Sequence, residues 1–305
     1  MGAGSTYRQI ESRTELSVAE FREVYLAQQR PVVLRGFIND WPALRRWADD
    51  ATLRERARGI HVPLRGYTDY TEDGSELLGD GDCVMENLTD FDHALDVVTG
   101  AVDAGHMTYT RRFRLKPHFG LWDDIVRPPF LPEGQKLDGP YFWLGPGNTN
   151  THFHWDPLPN LFCQVRGRKR WVLLAPSEAK LAYPVRFSPS TLVRNVGIRN
   201  RKPLWLLNPF ATFKFLNVFS VDGAAPDYDQ HPRFRDAHPL ECTVEPGDLL
   251  FVPYLWLHSV SAMGGTSISV NWFFPDENRA RWTERVRSLR TASLHYGLRD
   301  HGLTR

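Results

Sequence analysis

The sequence predicts a mainly β fold, an antiparallel barrel or sandwich behind a mixed helix-and-strand flank. From Tyr141 onward the chain breaks into short β-type runs punctuated by Gly, Pro and Asn, the texture of an all-β domain. Before that point, helical apolar periodicity alternates with single short strands. At 305 residues and 42% hydrophobic content, the chain can bury a real core without disulfide staples. No repeat of 20 to 50 residues is visible, and no low-complexity linker splits the chain.

The flank reads as follows. Ser17 and Glu20 form a capping box for a helix over 15–30, with Val18, Phe21, Val24 and Tyr25 on one face. Pro31–Phe37 reads as a short buried strand. A second helix runs from Trp41 to about Arg58, followed by a strand over Ile60–Gly66, a helix over Phe91–Val98 and a strand over Met107–Phe113. In the barrel, strands are expected at Tyr141–Leu144, Thr151–Trp155, Leu161–Val165, Lys169–Leu174, Leu249–Val252 and Thr266–Phe274. The last thirty residues are Arg-rich, with Trp282, Val286 and Leu289 spaced for one apolar helix face. These readings divide the chain into a flank (1–106), a core (107–275) with an insertion (179–221), and a C-terminal helix (276–305).

Charge narrows the function classes little. The 37 Lys and Arg against 36 Asp and Glu give a net charge of +1, with no global basic excess pointing to nucleic acid. Cys83, Cys163 and Cys242 are too far apart for a CxxC site and odd in number, so buried free thiols are expected. No apolar run approaches the roughly 18 to 20 residues of a membrane span, and no basic-then-apolar leader opens the chain. A cytoplasmic protein without a membrane partner is the expectation.

The chemistry concentrates in Asn148–Asp156. Alternate side chains on a strand share a face, so His152, His154 and Asp156 are expected to point the same way. Two such ligands grip a metal from one side, and a third from elsewhere completes a facial triad with open positions. That third is supplied by the segment Glu245–His258. There a Pro-Gly-Asp turn feeds an apolar strand ending at Pro253, and the bend that follows delivers His258.

Glycine, proline six residues on and histidine five beyond that resemble the second metal motif of the cupins. With the His-x-Asp segment and Asn160–Trp171 between them, the chain resembles the JmjC, or cupin-8, iron(II) and 2-oxoglutarate oxygenases. It is nearest in style to the asparaginyl hydroxylase of hypoxia-inducible factor and to bacterial cupin-like hydroxylases. The resemblance is clear over 141–275 and weaker over Pro31–Trp41.

It implies a double-stranded β-helix, a jelly roll, in which His154, Asp156 and His258 hold Fe(II). It further implies that Lys169 and Thr151 bind the far carboxylate of 2-oxoglutarate. Asn160 and Asn271 would flank the metal and the near carboxylate, and Tyr109 would hydrogen-bond the co-substrate. The implied activity is hydroxylation of a C–H bond with O2, releasing succinate and CO2, on an amino-acid residue of a peptide or protein. Rival readings are a hydroxylase of RNA or of a small natural product, and a non-catalytic cupin-like binding protein. His152 is open to a His-x-His cupin reading, but Leu158 stands where the accompanying glutamate would be, which leaves His152 beside the metal or on the substrate side.

Two segments suggest partners. From Ala179 to Val221 there is no acidic residue, while Lys180, Arg186, Arg194, Arg199, Arg201, Lys202 and Lys214 interleave with Trp205, Phe210, Phe213, Phe215 and Phe219. This is either a lid with a solvated edge or a platform for an acidic peptide or RNA, which Arg111 and Arg112 would join. The C-terminal helix suits a homodimer or packing on its own barrel.

Overall fold

A computed structural model describes residues 7–67, 83–104, 107–135, 137–156, 158–184 and 219–275. Its strands are β1 (Arg8–Gln9), β2 (Ser12–Arg13), β3 (Val32–Leu34), β4 (His61–Tyr67) and β5 (Cys83–Asp90) in the flank, with β6 (Met107–Arg114) opening the core. The core adds β7 (Asp138–Gly145), β8 (Asn150–Trp155), β9 (Asn160–Leu174), β10 (Leu240–Val244), β11 (Leu249–Val252) and β12 (Leu257–Phe273). The short strands β1, β2 and β10 and the eight-residue β5 are not among the strands expected from the sequence.

The two predicted strands Leu161–Val165 and Lys169–Leu174 are one 15-residue strand, β9. Likewise β12 is 17 residues long and begins at Leu257, well before the predicted Thr266. These two strands pair antiparallel along their whole length and serve two sheets. The first half of β9 and the second half of β12 lie between β11 and β7 in a larger sheet that continues through β3 on one side and β6, β4 and β5 on the other. Their other halves lie between β10 and β8 in a smaller sheet. The expected double-stranded β-helix is this arrangement.

Three apolar clusters fill the layers. On the first half of β9, Leu161, Cys163 and Val165 pack outward with Phe142, Leu144, Ile268 and Val270 beneath the flank helices. On the second half, Val172 and Leu174 pack outward with Phe153, Trp155 and Leu257 beneath Phe219, Val221 and Phe234. Between the sheets, Phe162, Trp171, Leu173, Cys242, Val244, Leu250 and Val252 form the barrel interior.

Interior residues of β9 are therefore even-numbered before the bend and odd-numbered after it. The reset falls at Gly167, where φ is +70°, a conformation that favours glycine. On β12 the parity resets at Gly264–Gly265, where the register slips between Met263 and Ile268. Gly147, in the connection between β7 and β8, presses so closely on this bend that a Cβ there would collide with the Gly264 carbonyl.

The flank departs from expectation in two places. The helix capped by Ser17, whose Oγ accepts from the Glu20 amide at 3.1 Å, winds wider over Phe21–Leu26 with bonds five residues apart, burying both Phe21 and Tyr25. Glu20 does not return to the cap but pairs with Arg13 at 2.9 Å. The predicted helix Trp41–Arg58 is two helices, Pro42–Arg46 and Asp50–Arg56, because Asp49 caps the second by accepting from the Thr52 amide at 2.8 Å. Both are fastened to the turn Gly120–Asp124, where buried Asp124 accepts from Arg46, Trp47 Nε1 and Arg56. The predicted C-terminal helix lies outside the described residues.

Gly147→Ala is expected to destabilise the fold by about 2 kcal/mol or more, since overpacking against backbone cannot relax by a rotamer change. Urea unfolding would show it as a lowered midpoint with an unchanged slope.

Candidate metal and co-substrate site

His154, Asp156 and His258 come together at the end of the smaller sheet farthest from the bend. Their donor atoms lie within 4.8 Å of one another, a spacing that suits one metal ion. His154 and His258 are cross-strand partners on β8 and β12, with ring centroids 4.2 Å apart. Asp156 follows β8, and its Oδ2 stands 3.5 Å from His258 Nε2. The turn Pro253–Trp256 locks the group, because the Leu255 amide donates to the Asp156 carbonyl at 3.0 Å. Leu255 holds a left-handed φ of +61° and is fully buried, so packing sustains a conformation that an unconstrained leucine avoids.

Both rings are oriented from behind. His154 Nδ1 lies 3.0 Å from the His152 carbonyl and His258 Nδ1 lies 3.1 Å from the Trp256 carbonyl. A carbonyl only accepts, so each Nδ1 carries a proton and Nε2 is the ring atom left to face a metal. Burial raises the Asp156 pKa, but the His258 hydrogen bond and the charges of His258, His154 and Arg112 outweigh it and hold the carboxyl at about 2. The donor set is two imidazoles and a carboxylate, all from one side, and a metal would take the place of any proton on the two Nε2 atoms.

His152 does not join them. The register between β8 and β12 breaks between His258 and Val260, so His152 and Phe153 together oppose Ser259 and the alternation resets. Phe153 packs in the outer cluster, and desolvation lowers the His152 pKa against an opposing pull from the Asp222 carboxylate. The expectation that His152, His154 and Asp156 share a face is corrected by that bulge. The same break pairs Thr151 with the interior residue Val260.

Lys169 lies on the interior face, paired with Val244 and Ala262, only 6% exposed. It stands four residues, about 13 Å of strand, deeper than the row of His258. Its Nζ reaches Ser269 Oγ at 3.4 Å and lies 5.3 Å from the Phe162 ring centroid. Among the described residues no carboxylate pairs with it. Burial alone pulls its pKa down to about 8, the condition of a cation without a counter-ion.

The opposite wall carries a hydrogen-bond chain. Trp143 Nε1 donates to Asn271 Oδ1 at 2.6 Å, and Asn271 Nδ2 donates to Asn160 Oδ1 at 2.8 Å. Both asparagines are buried at the end of the larger sheet that faces the triad, where Phe273 pairs with Asn160. Tyr109 lies beside this chain, its ring centroid 5.9 Å from that of Trp143.

Ser269 was legible as the alternate neighbour of Asn271 on one strand. Trp143 was not, since a strand tryptophan reads as core. The basic insertion lies outside the described residues over 185–218.

The family model for a cupin-like domain matches residues 18–280. Among similar proteins, lysine-specific demethylase 8 of Xenopus tropicalis is 30% identical over 263 residues, covering 85% of this chain and 51% of its own length. The bifunctional peptidase and (3S)-lysyl hydroxylase JMJD7 of Homo sapiens is 26% identical over 283 residues, covering 84% and 81%. HSPB1-associated protein 1 of Bos taurus is 24% identical over 294 residues, covering 92% and 56%. The chain thus spans about half of the first and third of these relatives.

Burial of Lys169 sets a pH dependence. With a folded pKa of about 8 against an ordinary 10.5, the penalty for the buried ammonium is fully present below pH 8. Between these values the unfolded chain binds the proton that the folded chain has released, so stability rises with pH. Urea midpoints of the ligand-free protein are expected to increase from pH 8 to pH 10, and the increase should vanish in Lys169→Met.

Proposed function

The chain belongs to the cupin-like domain family, and we propose that it is an Fe(II)- and 2-oxoglutarate-dependent oxygenase that hydroxylates an amino-acid residue of a peptide or protein. The balance is one 2-oxoglutarate, one O2 and one C–H bond giving succinate, CO2 and a C–OH bond. What supports the reading above all is that a metal-competent cluster and a buried ammonium with no carboxylate partner among the described residues line one barrel interior. A dianionic co-substrate chelating at the first and ion-pairing at the second satisfies both.

His154, Asp156 and His258 would hold the iron, each pre-oriented by a backbone contact. When bound, iron(II) supplies open coordination positions and the redox chemistry that divides O2 between succinate and the hydroxylated product. The remaining work falls to the chain. The three donors come from β8, β12 and the residue after β8, leaving the larger-sheet side for ligands. Lys169 and Thr151 draw the far carboxylate toward the bend, and Ser269 steadies the ammonium. The Asn160 NH2 ends the donor chain begun at Trp143 and is the group available to a co-substrate oxygen near the metal. Phe162 and Trp171, packed edge to face with centroids 4.7 Å apart, give the interior apolar walls, which would strengthen each charged contact.

Lys169→Met is expected to raise the 2-oxoglutarate concentration for half-saturation at least about tenfold, the scale of one charge-assisted hydrogen bond. Titrating 2-oxoglutarate against the Mn(II)-loaded protein checks this. An unchanged half-saturation would reject Lys169 as the carboxylate's partner.

A further inference from the structure

At the open end of the barrel, opposite the triad, strand β6 carries a bulge. Thr110 pairs with Leu144 and Phe113 with Phe142, so Arg111 and Arg112 together oppose Trp143. Arg112 takes a left-handed φ of +52°, which few non-glycine residues adopt. Bulges re-aim side chains, and this one lays the Arg112 guanidinium 4.8 Å from the Tyr141 ring centroid and 5.3 Å from that of Phe273. Phe273 pairs with Asn160 at the mouth, so Arg112 caps the wall that faces the metal cluster.

The neighbouring Arg114 is spent. It donates to Asp138 at 2.6 Å, to the Tyr141 hydroxyl at 3.2 Å and to the Gly139 carbonyl at 3.4 Å. Arg112 makes one bond to Asp138, at 3.1 Å, and Arg114 shares that carboxylate. Its side chain is 47% exposed, held flat by two aromatic faces with donors to spare. A pre-oriented guanidinium fork at an entrance is the group that binds a carboxylate in bidentate fashion.

We propose that Arg112 is a specificity-determining residue that pairs with a carboxylate on the prime substrate, borne by an acidic side chain close to the oxidised residue. The inference rests on the oxygenase reading and names its substrate class. A lysine or arginine target would meet like charge at this rim. A nucleic-acid backbone would meet the Asp138 carboxylate beside the Arg112 guanidinium, which favours one carboxylate over a polyanion.

The test uses the full chain loaded with Mn(II) and N-oxalylglycine, an inert stand-in for iron and co-substrate. Two heptapeptide pools, acetylated and amidated at their ends, differ only in glutamate or glutamine fixed at the centre. Wild type is expected to bind the glutamate pool at least about tenfold more tightly, the worth of a charge-assisted pair, and Arg112→Gln to lose that preference. The readout is a ratio within each protein, so partial misfolding of the variant does not imitate the result. Equal binding of the pools by wild type, or a preference that survives in Arg112→Gln, overturns the proposal. So does tighter binding of a single-stranded oligouridylate with a steep salt dependence. A glutamine pool with free C-termini matching the glutamate pool would place the carboxylate at a chain end and overturn the acidic side chain. Failure of wild type to bind N-oxalylglycine at all defeats the oxygenase reading itself, and is distinguished because the analogue is titrated first.

Discussion

Strands β9 and β12 each belong to two sheets, and they can do so only because their side-chain alternation resets at Gly167 and at Gly264–Gly265. Without the reset, a strand that presents Phe162 to the interior would present Arg170 and Val172 there, and Lys169 would face outward. With it, Lys169, Trp171, His258, Ser269 and Asn271 all enter one space. The bend therefore sets which residues of two strands can act together, and it fixes the depth at which each stands. The metal-competent cluster sits at the open end and the ammonium near the closed one.

That polarity gives the interior an electrical direction. Asp156 is held ionised at the mouth by His258, His154 and Arg112, whereas burial lowers the pKa of Lys169 near the bend. A buried cation that meets a hydroxyl and an aromatic ring but, among the described residues, no carboxylate is costly, and a fold keeps one most readily where a ligand completes it. The aromatic interior around it, Phe162 and Trp171, offers no competing charge. On the proposed function, stability given up in the empty state is returned as affinity for a carboxylate in the filled one.

Much of this was legible in the chain. His154, Asp156 and His258 were found because a His-x-Asp on a strand and a histidine after a Pro-Gly-Asp turn are local patterns. The expectation of a buried free thiol holds for Cys163, which lies in the cluster beneath the flank, its pKa pushed up by burial. What escaped was whatever depends on a change of parity. The face of His152 was misjudged because a bulge opposite Ser259 cannot be read from spacing. The continuity of β9 across Gly167 was missed because a glycine between two β runs reads as a turn. Arg112 was noted only for its charge, since a second bulge, in β6, decides where that charge points.

The central claim is that the triad and the interior ammonium serve one reaction. Its most direct measurement is succinate formed from 2-oxoglutarate by the purified protein with Fe(II) and O2, with no prime substrate added, compared between wild type and Asp156→Ala. Slow, iron-dependent succinate formation in the wild type and its loss in the variant is the expected result. Equal formation in both, or no formation in a wild type that has bound iron and 2-oxoglutarate, would contradict it.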